Sequence, residues 1–188
     1  YTLFQFARRH PKSNSDLSNN FLPLIENILE KNIDLQFSVD LDLLMIFDTE
    51  AQHLSIEEFN SITKPFIEKM TLKYSGKIGY FTKNIDSKKF ESLKTIKDLK
   101  LTVMGSDHNI FNELPNTKLS LQGNFSNEQL AEIDASKFKE NLSNFVKYIQ
   151  DQDKSRRAGW ICSLDHGVLK TTPEKNVKLF IETIRTEL

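Results

Sequence analysis

Two short apolar runs in this sequence end on side chains able to handle a proton or a carboxylate. Near the C-terminus Trp160, Ile161, Cys162, Ser163 and Leu164 lead into Asp165, His166 and Gly167. An imidazole with a pKa near neutrality can bind an anion or shuttle a proton. On such a turn it can equally cap the strand end by bonding backbone. The second run, Leu43 to Phe47, ends on Asp48 and Thr49. A threonine hydroxyl can donate to a carboxylate or bond local backbone, and Phe47 is either core or cleft wall. Asp48 and Asp107 follow apolar runs too; they orient loops or cations, or are satisfied structural carboxylates. Lys83 and the pair Arg8 and Arg9 face an anionic ligand or solvent. His10, His53 and His108 share no metal-ligand spacing with Cys162, which sits inside a strand where buried thiols are ordinarily inert. No metal is expected.

The elements that must position these groups alternate. Phe21, Leu24, Ile25, Ile28 and Leu29 recur at helical spacing and predict a helix from about Asp16 to Val39, after a polar loop over Phe6 to Ser18. The unbroken run Leu43–Phe47 suits a parallel strand buried on both faces. Ser55 and Glu58 form a capping-box signature that opens a helix through Phe59, Ile62, Phe66 and Met70. Lys77–Phe81, Leu99–Met104, Lys118–Leu121 and Gly159–Ser163 predict four more strands. A helix near Asp86 to Leu93 lies between the first two of these. Ser126 with Gln129 repeats the capping-box pattern before a long helix carrying Phe138, Leu142, Phe145, Val146 and Ile149 on one face. Gln150 to Arg157 is a charged connection. The last helix starts at Thr172, with Thr172 as the cap and Pro173 at the first helical position, and Val177, Phe180, Ile181, Ile184 and Leu188 face the core. Five strands alternating with helices over short links predict right-handed parallel βα units. In a (β/α) barrel the chemistry sits on the loops after the strands, where His166 and Thr49 stand.

Bulk properties narrow the classes. The 188 residues suffice for one domain with a core but fall short of the roughly 250 of a closed eightfold barrel. Net charge is −1 with the signs interspersed, so there is no electrostatic case for nucleic acid. A single cysteine excludes an internal disulfide and fits a reducing compartment. No apolar run approaches the roughly 20 residues of a bilayer span, so no membrane partner is expected. The start at Tyr1, uncapped and apolar, reads as a chain entered midway.

The loop sequences carry a resemblance. Leu164, Asp165, His166, Gly167, Val168, Leu169, then Thr172, Pro173, Glu174, Lys175, Asn176 and Val177, resemble the closing LGHGI…TPPENV of the uroporphyrinogen decarboxylases. Leu121 to Asn124 matches that family's LQGN. Ile46, Phe47, Asp48 and Thr49 with Leu54, Ser55, Phe59 and Pro65 resemble its IFDS segment. Tyr80 to Lys83 resembles its FTKG, Met104 to Asp107 its VGLD, and Thr2 and Leu3 fall on the TL of its PWTLATYMVEGG. The motifs run in order along the whole chain.

The resemblance implies an α/β TIM-barrel fold, here an incomplete barrel of about five parallel strands, with residues 1–188 as the C-terminal portion of one domain. It implies cofactor-free decarboxylation of the acetate arms of uroporphyrinogen III to coproporphyrinogen III in haem biosynthesis, in the cytoplasm, by a homodimer. Carried across by position, Thr49 and His166 are substrate contacts and His166 is the catalytic candidate. Phe6 stands at the family's tyrosine and offers only a ring face. Arg8, Arg9 and His10 replace Glu-Gly-Gly, Gln52 replaces a glycine, and Asp165 replaces the glycine before the histidine. The family's RQAGR loop and pyrrole-binding aspartate have no counterpart in these 188 residues, so this chain alone is expected to be inactive. Two alternatives stand beside this reading: a corrinoid-linked methyltransferase of the same superfold, and a non-catalytic tetrapyrrole-binding or interaction module.

Overall fold

The computed structural model describes residues 15–188, with side chains from residue 22 onward. Phe6, Arg8, Arg9 and His10 lie outside the described residues. The chain divides into two compact units, residues up to Lys100 and residues from Leu101 onward.

The first unit opens with helix α1 (Ser15–Gln36), which begins within the expected loop. Ile25 and Ile33, two turns apart, are buried, whereas Leu24 and Ile28 on the neighbouring stripe are exposed. Strand β1 (Leu44–Phe47) pairs in parallel with β2 (Ile78–Phe81). Burial on both faces holds for β2, whose four residues are all buried. It fails for β1, where only Leu44 is buried and Phe47 is 62% exposed. The reason is local. Between α1, β1 and β2 lies an incompletely filled cavity of about 190 Å³, lined in part by Ile33, Leu44, Ile46 and Phe66.

After β1, a 3₁₀ turn (Thr49–His53) leads to α2 (Ile56–Glu58), opened by the expected capping box. Ser55 Oγ accepts from the Glu58 amide, and the Glu58 carboxylate accepts from the Ser55 amide. A π-helical turn (Phe59–Thr63) separates α2 from α3 (Lys64–Lys73). Pro65 explains it: without an N–H it cannot bond the carbonyl four residues back, so the ladder widens there. Phe59, Ile67 and Met70 are fully buried on this helix. Helix α4 (Ser87–Lys94) follows β2, with Asp86 as its cap.

Strand β3 (Leu99–Val103) has its paired residues, Leu101 onward, in the second unit, where it forms a parallel ladder with β4 (Ser120–Gln122) and β5 (Trp160–Ile161). Helix α5 (Ile110–Glu113) precedes β4. Ser126 caps α6 (Asn127–Leu130), a helix of one turn, while the long helix α7 (Ala135–Gln150) has its own cap in Asp134, which accepts from the Ser136 and Lys137 amides. Phe138, Leu142 and Val146 of α7 form a core with Phe125 and Leu130. Against it pack Val177, Phe180 and Ile184 of α8 (Glu174–Glu187). Ile181 and Leu188, expected to face the core, are about 40% exposed.

The start of α8 also departs from expectation. Pro173 is the cap and Glu174 the first helical residue, so Thr172 sits one position too early to reach the free amides, and its buried hydroxyl has no partner. Among the described residues there are five strands, each paired in parallel, and no helix is long and apolar enough to cross a membrane.

Candidate functional site

In the first unit, β1 delivers Phe47, Asp48 and Thr49 to one turn. The Asp48 amide donates to the Phe81 carbonyl at 2.8 Å, extending the parallel ladder by one residue. Its buried carboxylate accepts from the Tyr80 hydroxyl at 3.0 Å. Of the two roles open to Asp48, the structural one is what this geometry serves. Asp107, by contrast, has an exposed side chain. Thr49 is half-buried and begins the 3₁₀ turn that Asp48 starts by accepting, through its carbonyl, from the Ala51 amide. Gln52, the departure at a family glycine, anchors the far side of the turn. Its side chain accepts from Asn84 at 3.2 Å, and its carbonyl accepts from the Lys89 ammonium at 3.4 Å.

Lys89 is 4% exposed and pairs with Asp86 at 2.8 Å. Burial alone would raise the Asp86 pKa. The hydrogen bonds from Lys89 outweigh that and hold it below the usual carboxylate value. Nothing in the local pattern of α4 marks Lys89 as more than a surface lysine; its role comes from a loop 37 residues earlier. Lys83 is half-buried.

In the second unit, β5 delivers His166. The ladder continues beyond the strand: the Phe125 amide donates to the Ser163 carbonyl at 3.1 Å, and the Asp165 amide donates to the Phe125 carbonyl at 2.9 Å. His166 is half-buried between buried Asp165 and exposed Gly167. Cys162 lies half-buried just after the strand, and burial pushes its thiol up to about 11. At neutral pH it is a protonated, inert thiol, as its place in the sequence suggests.

The LQGN segment secures the adjoining loops. The Asn124 amide group donates to the carbonyls of Gly105 and His108, at 2.9 and 2.7 Å. Gly123 has φ +140°, and a Cβ there would lie 2.8 Å from the Met104 carbonyl, so only glycine fits. The Gly123 carbonyl accepts from the Trp160 indole at 2.7 Å. Beside these loops is a polar cleft of about 710 Å³ lined by Ser106, His108, Asn109, Asn124, Gln129 and Tyr148, among others.

The first unit thus brings Phe47, Asp48 and Thr49 onto one turn, and the second holds His166. The core alternative for Phe47 is overturned by its exposure at the strand end. Phe6 lies outside the described residues. Among the described residues, no group of three or more His, Cys, Asp or Glu is arranged to hold a metal ion. Thr49 and His166 each stand on a turn after a parallel strand, where a barrel carries its chemistry. Of the groups that fix those turns, Lys89 and Asn127 escaped sequence reasoning, because each acts across a loop boundary with no local motif to announce it. Tyr80 lies in a motif segment whose hydrogen bond to Asp48 the motif did not reveal.

Comparison with known proteins meets this geometry. The family model described as uroporphyrinogen decarboxylase (URO-D) matches residues 3–187. A uroporphyrinogen decarboxylase of Picrophilus torridus is 24% identical over 173 residues, covering 90% of this chain and 49% of its own length. Those of Chloroherpeton thalassium and Chlorobium phaeobacteroides are 22% and 23% identical, each covering 98% of this chain and 53% of their own length. The chain spans about half the length of the curated relatives it matches. The family fold is a TIM barrel, and the five parallel strands with their helices are βα units of that architecture. A match from one end of the sequence to the other, over parallel strands followed by the family's own loop motifs, establishes that this chain belongs to the uroporphyrinogen decarboxylase family.

Proposed function

We propose that this chain serves the cofactor-free decarboxylation of uroporphyrinogen III to coproporphyrinogen III, with Thr49 of the first unit and His166 of the second each meeting a substrate carboxylate and the rings of Phe47 and Phe6 against the macrocycle. The observation that carries the reading is that an imidazole and a hydroxyl each occupy the turn after a parallel strand, at the family's own motif positions, on backbone secured by buried hydrogen bonds.

The chemistry asks little of a cofactor. Protonating the pyrrole beside an acetate arm makes the ring an electron sink. The electron pair of the bond to the carboxylate flows into it, carbon dioxide leaves, and a proton returned to the exocyclic carbon yields the methyl group. The protein's part is to supply and retrieve protons, to hold pyrrole N–H groups, and to pair the remaining carboxylates with donors. His166 suits either proton transfer or carboxylate binding, because an imidazole exchanges its proton near neutral pH. Thr49 Oγ1 suits donation to a carboxylate.

The family's arginine-rich loop and pyrrole-binding aspartate have no counterpart here, so the 188-residue chain is expected to bind the tetrapyrrole and not to turn it over. The departures at Phe6, Gln52 and Arg8 to His10 favour a second reading: a tetrapyrrole-binding module without catalysis. A homodimer working in the cytoplasm accompanies the first reading. Two measurements test the pair. Titration with uroporphyrin, followed by quenching of Trp160 fluorescence, should show binding that His166→Ala and Thr49→Ala each weaken roughly tenfold; absence of binding by the unaltered chain sinks both readings. Anaerobic incubation with uroporphyrinogen, followed by chromatography of the oxidised products, should show no coproporphyrin. Clear turnover would show that the missing groups are dispensable and would exclude the non-catalytic module.

A further inference from the structure

We propose that Asp165 and Asn127 are positioning residues that clamp the His166 turn from both sides, a device resting on the reading of His166 as a substrate contact. Asp165 stands where the resembling family carries glycine, and it is 7% exposed. A carboxylate that deeply buried is costly unless its oxygens find donors. Asp165 Oδ1 accepts from the backbone amide of Asn127 at 2.8 Å. That amide opens α6 and has no acceptor within its own helix.

The bond is returned. Asn127 is itself 8% exposed, and its side-chain nitrogen donates to the Gly167 carbonyl at 2.9 Å. The residue before His166 and the residue after it are therefore both tied to Asn127. The Asp165 amide adds a third tie, donating to the Phe125 carbonyl at 2.9 Å. With both neighbours held, the backbone of His166 is fixed.

The support extends one layer further. Asn176 of α8 is 2% exposed and donates from one nitrogen to the carbonyls of Leu130 and Glu132, at 2.9 and 2.8 Å. The Leu130 carbonyl ends α6 and Glu132 lies just beyond it, so α6 is held at both termini. Glycine at position 165 would remove the carboxylate acceptor and loosen the backbone together. In this chain the carboxylate supplies rigidity at a turn the resemblance leaves to glycine.

The test uses the full 188-residue chain and three variants: Asp165→Gly, Asp165→Asn and Asn127→Ala. Amide hydrogen exchange at Asn127 and over residues 165–167 should quicken roughly ten- to hundredfold in Asp165→Gly. Asp165→Asn, which keeps an oxygen acceptor, should restore most of the protection. Asn127→Ala changes no charge; it should shift the His166 imidazole NMR signals while those of exposed His53 stay in place. Unchanged exchange in Asp165→Gly, or Asp165→Asn as labile as Asp165→Gly, would overturn the clamp. If Asp165→Gly fails to fold, unaltered His166 signals and unaltered exchange in Asn127→Ala would do the same. Uroporphyrin affinity separates this proposal from the one it rests on. A loosened turn with affinity unchanged, in a chain where His166→Ala also binds normally, upholds the clamp and removes the substrate role. A His166→Ala defect with no effect of Asp165→Gly on exchange or affinity does the reverse.

Discussion

The turns after β1 and β5 solve the same problem with different chemistry. Each presents one candidate side chain, Thr49 or His166, from a strand end. The β1 turn is held by charged groups taken out of water: the Asp48 carboxylate against the Tyr80 hydroxyl, and the Lys89 ammonium between Asp86 and the Gln52 carbonyl. The β5 turn is held by the Asn127 amide group donating to the Gly167 carbonyl and by Asp165 as the single carboxylate, with Asn176 securing the end of α6 behind them. Beneath it lies the aromatic core of Phe125, Phe145 and Phe180, with ring centroids 5.1 Å apart in both contacts of Phe125. Beneath the β1 turn lies the cavity beside Phe47. The difference teaches that a buried ion and a buried amide both fix a loop, but only the ion makes the loop depend on its partner's charge.

Four experiments press on this contrast. The largest effect should come from the core under the β5 turn. Phe138 is 1% exposed, and Phe138→Ala should cost about 3–5 kcal/mol in denaturant unfolding. A loss below about 1 kcal/mol would mean that the second unit is not held by this core. Next comes the β1 turn, where Tyr80→Phe deletes one donor to a buried carboxylate. A loss of about 1–3 kcal/mol is expected, together with faster hydrogen exchange at residues 48–53. Stability equal to the parent chain would show that the Tyr80–Asp48 bond does no net work.

The third experiment is a pH series on the first unit, where α1 meets α3 through exposed ion pairs. Hydrogen bonds from Lys69 and Lys73 hold Glu30 below its ordinary 4.5, and those from Lys73 and Tyr74 hold Asp34 below 3.8. A depressed carboxylate stabilises the fold above its unfolded value, and that contribution vanishes as pH falls through the folded one. Lys73 is raised to about 12 by Asp34 and Glu30, so its contribution is complete below 10.5 and disappears as pH climbs through about 12. Protection of α1 amides should therefore decline below about pH 4 and again near pH 12. Added salt at neutral pH should mimic a small part of the decline, because exposed pairs are screened. A flat profile on the acid side would remove these pairs from the account of α1.

The smallest stability effect belongs to Phe47→Ser. With 62% of the side chain exposed, unfolding should change by no more than about 0.5 kcal/mol. Uroporphyrin affinity should still fall if this ring meets the macrocycle. A large stability loss would return Phe47 to the core, and unchanged affinity would remove it from the site.

Much of the fold was legible in the chain. Apolar runs bounded by polar turns announced all five strands, because a parallel strand packed beneath its helices has few polar positions. The Ser55–Glu58 box was legible because capping acts over three residues. Thr172 misled, since a threonine before a proline looks like a cap until the backbone shows Pro173 in that place. Phe47 and Ile181 misled as well: an apolar residue in a periodic pattern reads as buried, but burial is decided by whatever packs against it. The candidate site was legible only as positions. His166 and Thr49 followed from strand ends and motifs, while Lys89, Tyr80 and Asn127 did not, because each bonds a residue at least 32 positions away.

By itself the sequence determined what is local: the strand and helix periods, the Ser55–Glu58 box, the turns that carry Thr49 and His166, and the family to which the motifs belong. The tertiary structure alone decided which of those turns are rigid and by what means. It put the Asp165 carboxylate on the Asn127 amide, the Lys89 ammonium on the Gln52 carbonyl, and Phe47 outside the core. The physical reason is that hydrogen-bond satisfaction and burial depend on neighbours supplied by remote segments, and no window of sequence contains both partners.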